Sequence, residues 1–173
     1  MGRVKVGDPL DETTDLGPMV DEKAVQRTDG WVADAVRDGA RALVRGEPDG
    51  RWFGPTVLVD VPKHAMICSE EAFAPVVNLF PVDSFADALG SINDSRFGLQ
   101  CGVFTSSLDH TLLAHDELEV GGVIINDIPT WRTDAMPYGG VKDSGLGHEG
   151  LRYAIEDMTE PRLLAFGRTP ASA

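Results

Sequence analysis

Two adjacent carboxylates, Glu70 and Glu71, stand directly before a short apolar run in EEAFAPVV, residues 70–77. Such a pair admits two readings. It is a solvated loop, since Glu is rarely buried without a partner. Or one carboxylate accepts hydrogen bonds from a pair of vicinal hydroxyls, as on a ribose, while Phe73 packs on a flat ring or sugar face. The other residues capable of chemistry offer less. Gly145, Gly147 and Gly150 spell G-x-G-x-x-G in SGLGHEG. A dinucleotide fingerprint needs a buried strand immediately before its first Gly, and PYGGVKDS is not one. The retained reading is a glycine-rich bend feeding a helix N-terminus. His110 and His115 are five apart, which on a helix sets them about 140° from each other. No cluster of Cys or carboxylates supplies further ligands, so no metal site is expected. Ser144, in KDSGL, lacks the first Gly of a G-x-S-x-G elbow and follows no strand, which leaves a hydrolase triad without support. Cys68 and Cys101 have no CxxC spacing and read as small apolar residues, not as a disulfide or metal pair.

The elements that must position these groups follow from periodicity. Residues 7–20, GDPLDETTDLGPMV, read as a surface connection. A helix begins after Asp21, which can cap it. Val25, Thr28, Val32, Ala35 and Val36 recur at spacings of three and four, and Gly39 can end the helix. Residues 45–52 read as a loop and 53–61 as a β-rich run. Strand-like runs at 76–82, 101–105 and 122–126 then alternate with helical patterns at 84–93 and 108–118. In the first of these helices Phe85, Ala88, Leu89 and Ile92 share a face. This alternation predicts an α/β fold, a mainly parallel sheet with flanking helices joined by right-handed crossovers. Continuous runs such as VIIN suit strands buried on both faces. A long loop at 127–150, a short helix at 148–158 and an extended piece at 161–166 complete the chain. The tail GRTPASA is read as frayed.

Composition narrows the function classes. With 173 residues, the chain can build one domain with a real core. Its 28 acids against 15 bases leave a net charge of −13, which argues against a nucleic-acid or anionic-membrane partner. No apolar run approaches the roughly 18 residues a membrane span needs. The start, MGRVKVGDPL, has no apolar core of signal-peptide length, so a cytoplasmic location is expected.

Three motifs in order carry a resemblance: EEAFAPVV, then IND some fifty residues later, then MPYGGVKDSGLGHEG. Together they resemble the C-terminal part of the aldehyde dehydrogenase family. VGDPLDETTDLGPMVDE and RWFGPTVLVDV fit the same family in the same order. The resemblance implies a partial catalytic domain over residues 1–158 and an oligomerisation strand and tail over 159–173. It implies oxidation of a small aldehyde to a carboxylic acid with NAD or NADP. A thiolate attacks to give a thiohemiacetal, hydride passes to the nicotinamide, and water hydrolyses the thioester. In the family's E-x-F-G-P element the Glu, here Glu71, binds the hydroxyls of the nicotinamide ribose. The Phe, here Phe73, packs beside the nicotinamide. That loop is expected at the carboxyl ends of neighbouring parallel strands, where an α/β sheet opens a ligand crevice. The loop at 127–136 is implied to line the aldehyde tunnel, with Trp131 as a wall residue, Tyr138 in the matching aromatic position, and Asn126 tying the loop down. Trp131 also reads as a core aromatic.

Departures from the family pattern are Ala74 in place of the commoner Gly and His148 where Arg is frequent. The family's nucleophilic Cys in a Gly-Gln-x-Cys setting, its Glu base and its oxyanion Asn are not matched. Neither MICSEE around Cys68 nor LQCGVF around Cys101 has the nucleophile's context. The chain therefore resembles the last third of such an enzyme, starting after the nucleophile. It is expected to be inactive alone, and to form a homo-oligomer or associate with the missing half. The other reading is a non-catalytic chain that acts only in subunit association.

Overall fold

The side chain of Asp21 accepts a hydrogen bond from the Ala24 N–H at 2.7 Å and so starts helix α1, Glu22–Arg37. The helix stops where the pattern predicts, with Gly39 in a left-handed conformation at φ +113°. The computed structural model describes residues 4–167 of the chain. The tail beyond, residues 168–173, lies outside the described residues. The chain divides into two units, residues 1–83 and 84–173.

In the first unit α1 buries Ala24, Val25, Thr28, Val32 and Ala35, while Val36 in its last turn stays exposed. Strand β1, Arg41–Val44, follows, then a hairpin of β2, Pro48–Asp49, and β3, Trp52–Phe53, where a loop was expected. Strand β4, Thr56–Val59, helix α2, Met66–Ser69, and strand β5, Val76–Leu79, complete the unit. The sheet order is β1-β4-β5. β4 and β5 run parallel in register from Thr56↔Val76 to Val59↔Leu79. β1 is antiparallel to β4, with a bulge between Ala42 and Val44. The apolar core gathers Val32, Ala35, Leu58, Val61 and Ile67, with a second cluster of Met19, Ala24, Val25 and Phe53.

The second unit opens with α3, Phe85–Asn93, capped by the Ser84 hydroxyl on the Asp87 N–H at 3.1 Å. Strand β6, Phe97–Gly98, leads to a βαβ crossover. This comprises β7, Gln100–Val103, helix α4, Leu108–Glu117, and β8, Gly122–Ile125. β7 and β8 are parallel over four residue pairs, as the alternation of strands and helices predicts. Leu89, Val103, Ala114 and Leu118 form the buried cluster between sheet and helices. The long segment after β8 is not free of structure. It returns through β9, Val141–Lys142, which pairs antiparallel with β6. Helix α5, Leu151–Met158, starts three residues later than expected, because Glu149 is held in a bridge to Tyr138 and Gly150 turns the chain at φ +113°. Residues 159–167 are neither helix nor strand and are exposed.

Candidate functional site

The acid-pair loop is built between α2 and β5. Its start is the C-cap of α2, where the Glu70 N–H donates to the Met66 carbonyl at 3.0 Å. Its end joins the parallel ladder, where the Thr56 N–H donates to the Pro75 carbonyl at 2.9 Å. The Asn78 amide donates to the Ile67 carbonyl at 2.9 Å and pins α2 against β5. Because Thr56 pairs with Val76, the loop sits at the amino ends of β4 and β5. The expectation of a crevice at the carboxyl ends is therefore corrected. The loop follows α2 and leads straight into Val76, so it lies at the start of the strand.

Between these anchors Glu70 is half-buried and Glu71 is exposed. Among the described residues the Glu71 carboxylate has no hydrogen-bond or ion-pair partner. Phe73 is 80 % exposed and its backbone lies in the left-handed region at φ +44°. That region disfavours any residue with a Cβ, so local packing does not explain a large aromatic there. Ala74, at the position where the family has Gly, avoids positive φ. An apolar groove of about 600 Å³ borders the loop, lined by Val4, Leu16, Pro55, Ala74, Pro75 and Val76 among others.

In the second unit, Asn126 closes β8 at φ +59°, and its side-chain oxygen accepts the Thr105 N–H at 2.8 Å. Trp131 is 46 % exposed, at the end of a turn in which its N–H donates to the Ile128 carbonyl at 3.0 Å. Tyr138 is half-buried and exchanges both backbone hydrogen bonds with Glu149, at 3.1 and 2.6 Å. The Arg132 guanidinium stacks over the Tyr138 ring at 4.3 Å and bonds the Glu149 carboxylate at 3.0 Å. Tyr138 and Glu149 also line a polar cleft of about 350 Å³ with Gly139, Gly147, His148 and Asp157. Arg132 and Glu149 escape a sequence reading, because seventeen positions of irregular chain separate them and no period links them.

The remaining chemical candidates take structural places. Gly145, Gly147 and Gly150 all have positive φ and form a bend ahead of α5, and the strand before them, β9, is two exposed residues long. The Ser144 hydroxyl accepts the Gly98 N–H at 2.9 Å. His110 stacks on Phe85 at 4.2 Å, and His115 contacts the Asp116 carboxylate at 2.9 Å. Cys68 and Cys101 are free and half-buried. Burial pushes both thiols above their ordinary value, with Lys63 partly opposing this at Cys68. A thiol held protonated is a poor nucleophile. Among the described residues no group of three or more His, Cys, Asp or Glu could hold a metal ion.

The parallel β4–β5 pair, the β7–α4–β8 crossover and the glycine-rich bend ahead of α5 define a partial α/β domain. The chain belongs to the aldehyde dehydrogenase family, whose sequence profile matches residues 1–164. It is 44 % identical over 162 residues to 3-sulfolactaldehyde dehydrogenase of Priestia aryabhattai, covering 94 % of this chain and 34 % of that protein. It is 36 % identical over 157 residues to lactaldehyde dehydrogenase of Methanococcus maripaludis, covering 91 % and 34 %. Among solved structures it matches aldehyde dehydrogenase 21 of Physcomitrella patens, in complex with succinate. The TM-score is 0.90 at 44 % identity, over 92 % of this chain and 33 % of that one. It also matches glyceraldehyde-3-phosphate dehydrogenase GapN of Methanocaldococcus jannaschii, complexed with NADP. There the TM-score is 0.86 at 38 % identity, over 91 % and 34 %. The chain thus spans about a third of the length of these relatives.

Proposed function

We propose that this chain is the C-terminal portion of an NAD- or NADP-dependent aldehyde dehydrogenase that oxidises a small aldehyde to its carboxylic acid. The single observation that carries the site reading is the pairing of Glu71 and Phe73. An unpartnered exposed carboxylate stands two residues before an exposed aromatic held in a disfavoured backbone conformation. This acceptor and aromatic face fit a nicotinamide nucleotide. The carboxylate can accept from two ribose hydroxyls at once, and the aromatic face can cover a flat ring and keep water from it. When bound, the nucleotide supplies the hydride acceptor. Glu71 holds its ribose, and Phe73 packs beside its nicotinamide. In the second unit Trp131 and Tyr138 contribute walls for the aldehyde. The nucleophile, the general base and the oxyanion donor belong to the part of the enzyme that precedes these residues.

Family membership supports aldehyde oxidation, and the NADP complex of the GapN relative supports a nicotinamide nucleotide. The same proposal includes a cytoplasmic homo-oligomer with neither nucleic-acid nor membrane partners. Among the described residues no helix is long and apolar enough to cross a membrane. A second reading, a non-catalytic chain acting only in subunit association, draws on the exposure of Leu163, Leu164 and Phe166.

The test has two arms. The chain alone, with each nucleotide and a panel of small aldehydes, is expected to give no reduced nucleotide. Turnover that survives Cys68→Ala with Cys101→Ala would overturn the account of the missing nucleophile. In the enzyme completed by its preceding portion, Glu71→Gln removes charge-assisted bonds worth on the order of 1.5–3 kcal/mol each. A loss of about 10- to 150-fold in kcat/KM is expected, with the unfolding midpoint unchanged. If Glu70→Gln does this and Glu71→Gln does not, the assignment of the ribose-binding carboxylate is wrong.

A further inference from the structure

We infer that Arg132 is a positioning residue that fixes the Trp131-bearing loop through Glu149 and Tyr138, and so governs aldehyde affinity. The second half of this statement rests on the reading of Trp131 as a wall of the aldehyde site. Residues 127–136 consist of two small turns, each satisfied within itself. The Trp131 N–H donates to the Ile128 carbonyl at 3.0 Å, and the Met136 N–H to the Thr133 carbonyl at 3.2 Å. Among the described residues neither turn makes a long-range backbone hydrogen bond. The start of the loop is held by packing on β7, where a Cβ on Gly102 would lie 2.6 Å from the Asp127 carbonyl oxygen and 3.1 Å from the Pro129 ring. Arg132 is the residue between them. Its guanidinium reaches across the chain to the Glu149 carboxylate at 3.0 Å and lies over the Tyr138 ring at 4.3 Å. Those two targets are already locked together by the reciprocal Tyr138–Glu149 backbone bonds. Just beyond the bridge, Met136 and Gly150 come into close approach. A Cβ on Gly150 would lie 3.0 Å from the Met136 carbonyl oxygen, at a φ of +113° that only Gly adopts readily. Both ends of the loop are therefore closely packed, and Arg132 ties its tip to the Tyr138–Glu149 bridge. A planar guanidinium can bond a carboxylate along its edge while stacking by its face. Lysine, a point charge, supplies the charge without the stack. The Arg132 side chain is 43 % exposed and that of Glu149 67 %. The latch is therefore weak enough to matter for loop order without determining whether the unit folds.

Arg132→Gln, Glu149→Gln and Arg132→Lys test this, first by hydrogen exchange on the chain and then by kinetics in the completed enzyme. Expected are a three- to tenfold faster exchange of amides 128–136 in both Gln variants, with amides of β7 and β8 unchanged, and partial recovery in Arg132→Lys. In the enzyme, KM for the aldehyde should rise three- to tenfold in the Gln variants while kcat and the KM for nucleotide stay within twofold. Unchanged exchange in both Gln variants would overturn the latch itself. Faster exchange with an unchanged aldehyde KM would overturn its link to the substrate. An enzyme with no aldehyde activity in wild-type form would defeat the functional reading, and the exchange result would still decide the latch.

Discussion

Asn126 reaches across the β7–β8 ladder to Thr105, its side-chain oxygen accepting the Thr105 N–H at 2.8 Å while its own N–H donates to the Val103 carbonyl at 2.9 Å. The residue sits at φ +59°, a conformation that Asn tolerates better than other residues with a Cβ. One side chain thus ends β8, satisfies the chain leaving β7, and aims the segment that carries Trp131. Asn126→Ala loses the bond and retains the backbone strain. It is expected to destabilise the second unit by about 1–3 kcal/mol. Asn126→Gly relieves the strain but not the lost bond and should fall between. Denaturant unfolding measures both. Equal stability of Asn126→Ala and wild type would show that the bond and the conformation contribute nothing.

Phe73 presents the opposite relation between sequence and stability. Its side chain is 80 % exposed and its backbone is at φ +44°. Replacement by Gly relieves a left-handed residue worth roughly 1–2 kcal/mol, offset by the greater freedom of Gly in the unfolded chain, about 0.5–1 kcal/mol. Phe73→Gly should therefore leave folding stability unchanged or raise it by up to about 1 kcal/mol. In the completed enzyme the same change should weaken nucleotide binding several-fold. A clear loss of stability would mean that Phe73 is a packing residue and not a ligand-facing one.

Which parts of this were legible in the sequence follows from how local their causes are. Helix α1 is set by Asp21, by apolar spacing and by Gly39, all within one segment, and it forms as that segment predicts. The parallel β7–β8 pair was equally legible, because a strand-helix-strand alternation has few ways to close. Strand β1 was not, since Arg41, Ala42 and Leu43 are all exposed and leave no buried pattern to read. The two-residue pair β6–β9 is set by contacts more than forty positions apart. There Lys142, at φ +55°, donates to the Asn93 carbonyl at 2.8 Å. At the site, Glu71 and Phe73 were visible as residue types. Their place beside the start of β4 was not, because the register Thr56↔Val76 is a pairing across twenty positions that no local pattern announces.

The two thiols give a pH dependence with a definite sign. Burial raises Cys101 and Cys68 above the ordinary thiol range, which is near 8.5. Above that value the unfolded chain gives up these protons first, so the folded state binds more protons than the unfolded state. The unfolding free energy then falls with rising pH. The contribution is complete below the ordinary thiol value and declines as pH rises through the raised one. Stability of the wild-type chain should therefore decrease as pH rises above about 8.5, and Cys68→Ala with Cys101→Ala should flatten that decline. Alkylation at neutral pH should be slow for both thiols. Rapid modification of Cys68 at pH 7 would instead mark an activated thiolate next to the acid-pair loop.

Assembly follows from what the second unit leaves uncovered. Leu151, Ile155 and Met158 recur along one side of α5 at 79 %, 54 % and 85 % exposure, and Leu163, Leu164 and Phe166 are exposed at 91 %, 75 % and 89 %. Apolar stretches of this kind seldom stay open on soluble monomers, because covering them removes surface from water at about 25 cal/mol per Å². The net charge of −13 opposes unselective aggregation, but repulsion is screened beyond about 10 Å at 0.1 M salt. The chain is therefore expected to self-associate at micromolar concentration, and more so as salt is raised. Leu163→Asp together with Phe166→Asp should shift it toward the 18.6 kDa monomer without lowering the unfolding midpoint of the first unit. Sedimentation velocity across a concentration series, with thermal unfolding in parallel, measures both. A monodisperse wild-type monomer that unfolds sharply above about 60 °C, high for a mesophilic domain, would show that these residues need no partner. The proposed oligomer would then lose its physical basis.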